Sequence, residues 1–300
     1  MAYHVPVLAH ECVHYLQLRP GGIYVDATMG GGGHTQLILN GISSLADARL
    51  FAFDQDEDAA ANAPQSDKLT FVQANFRHIR NYLRLYGIEQ IDGVLADLGV
   101  SSHQFDQAER GFSFRFDAEL DMRMGQSADR TAADVVNQYS AADLQAVFSE
   151  YGEVRNSKTL AQAIVDARES EPIEAIQQFL RVVDPWVRGQ RNRYLAQVFQ
   201  ALRIEVNDEM GALRELLTQC TQLLAPGGRL VVLSYHSLED RIVKNFLRSG
   251  NATGSQVKDE YGNIERPYRI LTKKPILPEP AEIELNPRAR SAKLRVGEKI

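Results

Sequence analysis

Along the first hundred residues, short apolar runs alternate with stretches whose apolar positions recur every three to four residues. The runs are "GIYVDATM" (22–29), "RLFAFD" (49–54), "LTFVQANF" (69–76) and "IDGVLADLG" (91–99). Each is short, rich in β-branched and aromatic residues and bounded by turn formers, which predicts buried strands. Between them, "HTQLILNGI", "EDAAANA" and "IRNYLRLYGI" carry the spacing of helices packed on one face. Strands separated by helices predict an α/β fold with a mostly parallel, doubly wound sheet.

From residue 106 to 195 the alternation stops. "SAADLQAVFSEY", "SKTLAQAIVDAR" and "PIEAIQQFLRVV" follow one another with helical periodicity and no strand pattern between them. Ser140 and Asp143 have the spacing of a capping box, and Pro172 suits a first helical turn. Residues 106–195 are therefore expected to form an inserted all-helical domain. The host α/β domain is then discontinuous, 1–105 and 196–300. Its pattern resumes with one long helix, "NRYLAQVFQALRIEVNDEMGALRELLTQCTQLL", closed by Pro226-Gly227-Gly228 and followed by the strand "RLVVLSYH".

Composition changes this picture little. An apolar fraction of 44% with 24% charged residues suits a packed core. No charged leader with an apolar h-region opens the sequence and no run of about 18 apolar residues occurs, so secretion and membrane contact are not expected and the cytoplasm is. Cys12 and Cys220 lack metal-site spacing and are too few for a disulfide framework. Charge is informative through its distribution. The net value is -6, yet from Arg241 onward 13 Lys/Arg face 7 Asp/Glu, leaving 20 against 32 in the rest. A basic tail on an acidic body permits a local nucleic-acid contact.

The first candidate chemistry is the turn "VDATMGGGGHTQLIL", where Gly30 to Gly33 join a strand to a helix and let a ligand approach the backbone and the helix N-terminus. A dinucleotide G-x-G-x-x-G fails, because its third glycine would fall on Thr35. Asp26 instead gives D-x-x-x-G-x-G, which resembles motif I of S-adenosylmethionine-dependent methyltransferases. Asp54 ends the next strand, where a carboxylate accepts ribose hydroxyls. Phe76 and Asp97 end the third and fourth strands along the same edge. A different word, "HECVH" (10–14), reads as the H-E-x-x-H of zinc proteases. Its surroundings favour a short amphipathic helix packed through Val7, Leu8, Cys12, Tyr15 and Leu16, and no metal is expected.

The longer blocks "DATMGGGGHTQLIL", "DGVLADLGVSSHQFDQAERGFSFRFDAELDMRM", "VFQALRIEVNDE", "APGGRLVVLSYHSLEDRIVKNFL" and "NPRARSAKLR" resemble the ribosomal RNA small subunit methyltransferase H family, also called MraW. The resemblance covers nearly the whole chain. It implies a Rossmann-like class I methyltransferase with a helical insertion that moves a methyl group from S-adenosylmethionine to N4 of a cytidine in the decoding region of 16S ribosomal RNA. Cofactor contacts implied by it fall on Gly32, Gly33, His34, Asp54, Phe76, Asp97 and Gln104. The implied partner is 16S ribosomal RNA, in the small subunit or a late assembly intermediate, with a second copy of the chain as a further candidate. The chain departs from the family pattern before "FQALRI" and at His103, where a proline is frequent.

An exocyclic amine is a weak nucleophile, so an acceptor beside it would orient its lone pair and stabilise the positive charge that develops. Asp97 is the candidate for that role. It stands where other amino-methyltransferases carry Asp/Asn-Pro-Pro-aromatic, although Leu98-Gly99-Val100 follow it here. His236 is the second catalytic candidate, at the rim of the base pocket, with Ser237 and Asp240 as a capping box for the helix behind it. Arg110, Arg115, Arg123, Arg188, Arg191, Arg193 and the arginines of "NPRARSAKLR" are candidates for gripping RNA.

Overall fold

The structure is a computed structural model that describes residues 6–126, 128–256 and 266–300. Helix α1 (Ala9–Leu16) precedes β1 (Ile23–Asp26), α2 (Gly33–Ile42), β2 (Arg49–Asp54), β3 (Leu69–Gln73), α3 (Ile79–Leu85) and β4 (Ile91–Asp97). A run of helices follows: α4 (Ser102–Asp106), α5 (Ala132–Gln138), α6 (Ala141–Glu150), α7 (Ser157–Arg168), α8 (Ile176–Val183) and α9 (Arg191–Asn207). Then come α10 (Glu209–Leu223), β5 (Leu224–Ser234), α11 (Ser237–Ser249), β6 (Tyr268–Ile270), α12 (Pro280–Leu285) and β7 (Lys293–Lys299). The chain divides into two units, one of Met1–Gly99 with Met210–Ile300 and one of Val100–Glu209.

Among the described residues, seven strands lie in the first unit, in the order β3-β2-β1-β4-β5-β7-β6. Only β7 runs against its neighbours. The strand order reverses between β1 and β4, the switch point at which open α/β sheets leave a crevice beyond their carboxyl ends. One face of the sheet is closed by α1 and α2: Val7, Leu8, Cys12, Leu16, Ile38 and Ile42 are buried with Tyr24, Leu95, Val231 and Leu294. Cys12 and Leu16 face this core, whereas His10 and His14 are exposed. The "HECVH" word is thus an amphipathic helix with its histidines on the outer face, and Tyr15 is partly buried against the core. Leu8 precedes α1 with a left-handed φ of 49°, and its N–H donates to the Glu282 carboxylate of α12 at 2.7 Å.

Some elements differ from the sequence reading. "EDAAANA" is a 3-10 turn (Glu57–Asn62), held by the Asp56 side chain accepting from the Asp58 N–H and followed by Pro64, before which a helical backbone is disfavoured. The single long helix is two. Its apolar spacing runs through residue 208, but Asp208 adopts φ 45°, so α9 ends at Asn207 and α10 starts at Glu209. A forked ion pair spans the corner, with Arg203 Nε and Nη2 donating to the two Glu209 oxygens at 2.7 and 3.0 Å.

The second unit has its own core, including Phe112, Leu120, Phe148, Ile164, Phe179, Leu195 and Leu202. Its first irregular stretch is held by buried and partly buried polar groups. Arg110 donates to the Arg123 and Met124 carbonyls at 3.0 and 2.9 Å, and Asn207 accepts from the Met124 N–H at 2.8 Å. The unit's limits, 100 and 209, lie outside the expected 106 and 195, because "SSHQFD" and α9 belong with the helices.

Candidate active site

Sheet register places three aspartates at the crevice. Asp26 pairs with Ala52 on β2 and Leu95 on β4, so Asp54 and Asp97 each project two residues further along their strands. Asp26 is buried and committed to the turn: Oδ1 accepts from the Thr28 N–H at 3.1 Å, and Oδ2 accepts from the Thr35 hydroxyl at 2.6 Å. Thr28 in turn accepts from the Asp97 N–H at 2.7 Å. This acid therefore builds the loop and links it to β4.

The glycines supply backbone shapes that side chains resist. Gly30 and Gly32 have φ of 51° and 77°, and a Cβ on Gly32 would sit 2.8 Å from the Asn62 carbonyl oxygen. A Cβ on Gly31 would meet nothing within 4 Å, so that side of the turn is open. Gly33 starts α2, whose first turn offers N–H groups and the positive end of the helix dipole. Asp54 Oδ2 accepts from the Gly30 N–H at 2.7 Å and Oδ1 from the Asp56 N–H at 2.8 Å. Burial pushes the Asp54 carboxyl up to about 6, against the pull of those two N–H groups.

Asp97 lies at the centre of a second set of contacts. Tyr235, the residue after β5, donates its hydroxyl to Asp97 Oδ1 at 2.7 Å. His34 Nδ1 lies 3.6 Å from Asp97 Oδ2, and His34 Nε2 lies 3.0 Å from the Val7 carbonyl. Burial raises the Asp97 carboxyl, opposed by His34 and the Tyr235 hydroxyl. Burial and Asp97 together hold the Tyr235 phenol well above its ordinary range. Tyr235 was not singled out from the sequence; its place directly after a strand register-paired to Asp97 through Leu233 is the signal that could have found it.

His236 stands at the start of α11. It is itself the N-cap of α11, its Nδ1 accepting from the Glu239 N–H at 3.4 Å while Glu239 Oε2 accepts from the Tyr235 and His236 N–H groups at 2.8 and 3.3 Å. The capping box is displaced by one residue from Ser237/Asp240 because Asp240 is taken by Arg295 of β7, which donates to it twice at 2.6 and 3.2 Å. Phe76 begins a 3-10 turn after β3 and is partly buried. Asn75 beside it donates to Gln55 at 2.7 Å, tying the ends of β3 and β2.

Gly32, Gly33, His34, Asp54, Phe76, Asp97 and His236 all belong to the first unit; Gln104 belongs to the second. There Gln104 closes a capping box with Ser101 and donates to the Met124 carbonyl at 3.3 Å. Three arginines read as RNA contacts are bound to the protein itself. Arg110 is buried on carbonyls, Arg123 is forked onto Asp121 at 2.9 and 2.8 Å, and Arg295 is buried on Asp240. Arg191 pairs with Asp184 at 2.7 Å yet stays half exposed, while Arg115, Arg188 and Arg193 are exposed.

The donor set limits what the edge can bind. Burial raises the carboxyls of Asp26, Asp54 and Asp97, neighbouring acids add to it at Asp54 and Asp97, and among the described residues no lysine or arginine is one of the groups that offset this. Such an edge favours a ligand bearing positive charge and repels a pyrophosphate. Sheet order, the glycine turn after β1 and the carboxylates closing β1, β2 and β4 define a Rossmann-like class I methyltransferase fold. The MraW methylase family matches residues 1–300, and the chain belongs to that family. The protein named ribosomal RNA small subunit methyltransferase H in Parabacteroides distasonis is 54% identical over 300 residues, covering 99% of this chain and 98% of the relative. Those of the same name in Bacteroides thetaiotaomicron and Flavobacterium johnsoniae are 53% and 52% identical, covering 100% of this chain and 98% and 99% of their own.

Proposed function

We propose that this chain transfers a methyl group from S-adenosylmethionine to N4 of a cytidine in the decoding region of 16S ribosomal RNA, during small-subunit maturation in the cytoplasm. The observation that carries the donor is the cation-poor carboxylate edge at the switch point, which suits a nucleoside bearing a sulfonium and an ammonium. Relatives of more than half identity named for the small-subunit ribosomal RNA support the acceptor.

When bound, S-adenosylmethionine supplies a methyl group already activated by its sulfonium. The chain's task is then chiefly positioning, which can supply roughly 7–11 kcal/mol. Gly32, Gly33 and the first turn of α2 at His34 hold the amino-acid end through backbone N–H groups. Asp54 accepts from the ribose hydroxyls with its remaining lone pairs, and Phe76 lies against the base. Asp97 faces the target amine, accepts one of its hydrogens and stabilises the charge that grows on nitrogen. His236 stands at the rim of the pocket, its ring fixed by Glu239. The cytosine enters unstacked. The helical unit recognises the RNA, with Arg115, Arg188, Arg191 and Arg193 as phosphate contacts.

The test is to incubate small subunits lacking the modification with methyl-labelled donor and map the label by mass spectrometry. Label on N4 is the expected result. Label on a ring carbon, on ribose, or nowhere overturns the assignment.

A further inference from the structure

Methylating an amine releases a proton, and the groups around Asp97 provide a path for it. The Val7 carbonyl can only accept a hydrogen bond, so His34 Nε2 at 3.0 Å carries the ring hydrogen. With that hydrogen on Nε2, the ring turns its other nitrogen, Nδ1, toward Asp97 Oδ2, 3.6 Å away. That separation is too long for a hydrogen bond in the resting state, and it shortens once a proton lies between the two atoms. On the other side, the Tyr235 hydroxyl at 2.7 Å occupies Oδ1 and fixes the carboxyl plane. A carboxyl fixed on one oxygen and faced by a proton acceptor on the other has the arrangement of a relay.

We propose that Tyr235, Asp97 and His34 form a proton-acceptor unit, in which Tyr235 is a positioning residue and His34 Nδ1 takes, through Asp97, the proton that the methylated amine gives up. The proposal rests on the methyl-transfer reading above. As the bond from N4 to the methyl carbon forms, that carbon's bond to sulfur breaks and its electron pair stays on sulfur. N4 is then cationic and passes one proton to Asp97 Oδ2, and Asp97 passes it to His34 Nδ1. The imidazolium left behind is stabilised by the carboxylate beside it, and its Nε2–H stays on Val7. The other ionisable groups around the pair are Asp26 of β1, Glu239 of α11 and Cys12 of α1. Both carboxylates favour the imidazolium, and the Cys12 thiol, held protonated by burial, adds no charge.

The structural half is tested on the free protein by nitrogen-15 ring spectra of His34. The expected spectrum has the hydrogen on Nε2 and none on Nδ1. A lone hydrogen on Nδ1 overturns the relay. The kinetic half uses Tyr235→Phe and His34→Gln, with donor affinity measured by calorimetry. Tyr235→Phe removes a donor that favours the carboxylate, so the acid limb of the kcat profile moves to higher pH with donor affinity unchanged. His34→Gln lowers kcat by about a hundredfold, the lower range for a lost proton acceptor, and flattens that limb. An unshifted profile in both variants overturns the proposal even if kcat falls. Failure of the methyl-transfer reading shows instead as absent turnover in the unmodified protein, with the ring spectra unaffected.

Discussion

Asp54 couples stability and ligand binding to pH in a way that can be measured. Its carboxyl is raised from 3.8 to about 6 by burial, so the folded chain holds a proton there that the unfolded chain releases. Stability from this group is fully present below 3.8 and is lost as pH rises through about 6. The interval corresponds to about 3 kcal/mol, an upper limit because the carboxyl keeps some contact with water. Asp54→Asn cannot ionise. It loses an acceptor for either Gly30 or Asp56, at a pH-independent cost of about 1–3 kcal/mol. The difference in unfolding free energy between variant and parent should therefore move by about 2–3 kcal/mol in the variant's favour between pH 4 and pH 7. Urea titrations at four pH values in that range measure it. A difference that stays constant with pH would refute the burial argument. Affinity for S-adenosylmethionine should follow the same group in the opposite sense, weakening as pH falls below about 6 because a protonated carboxyl accepts ribose hydroxyls poorly. Calorimetry showing pH-independent affinity would falsify the ribose role.

Gly32→Ala forces a left-handed φ of 77° onto a side chain whose Cβ meets a carbonyl oxygen at 2.8 Å, so denaturant unfolding should show a loss of about 1–3 kcal/mol and calorimetry a weaker donor affinity. Thr35→Val leaves a buried Asp26 oxygen without its 2.6 Å donor and should cost about 1–3 kcal/mol in the same unfolding assay. Arg295→Met leaves the partly buried Asp240 with Lys293, 3.7 Å away, as its remaining cation and should destabilise by about 1–3 kcal/mol without lowering the salt slope of RNA affinity. Arg188→Ala should do the reverse, leaving thermal stability unchanged while reducing that slope by about one. Filter binding over a salt series separates the last two.

The strand ends were legible because they depend on local pattern. Asp26, Asp54 and Asp97 each close an apolar run, and a parallel sheet brings such ends to one edge whatever the rest of the chain does. Helical periodicity likewise revealed a segment without strands. What stayed hidden depends on partners far along the chain. Arg295 claims Asp240 from 55 positions away, which shifts the cap of α11 from Ser237 to His236. Arg110 and Arg123 resemble surface arginines until the carbonyls and the carboxylate they satisfy are in place. The corner at Asp208 is hidden for a related reason: hydrophobic spacing continues across it, and only a left-handed φ and the Arg203–Glu209 fork mark the break.

The carboxylate of Glu282 that receives the Leu8 N–H has a consequence for how the chain is made. Val7 and Leu8 hold His34 and seat α1, yet the carboxylate that receives the Leu8 N–H is 274 positions later in the chain, and the β7 strand of the same sheet is later still. On a ribosome the segment Val100–Glu209 emerges with all its core residues while α1 still lacks the Glu282 carboxylate that receives the Leu8 N–H. The helical unit can therefore mature first, and the Leu8 N–H meets its carboxylate only when synthesis has passed Glu282. Nascent chains arrested short of α12 should resist protease across the helices while the first forty residues are still cut.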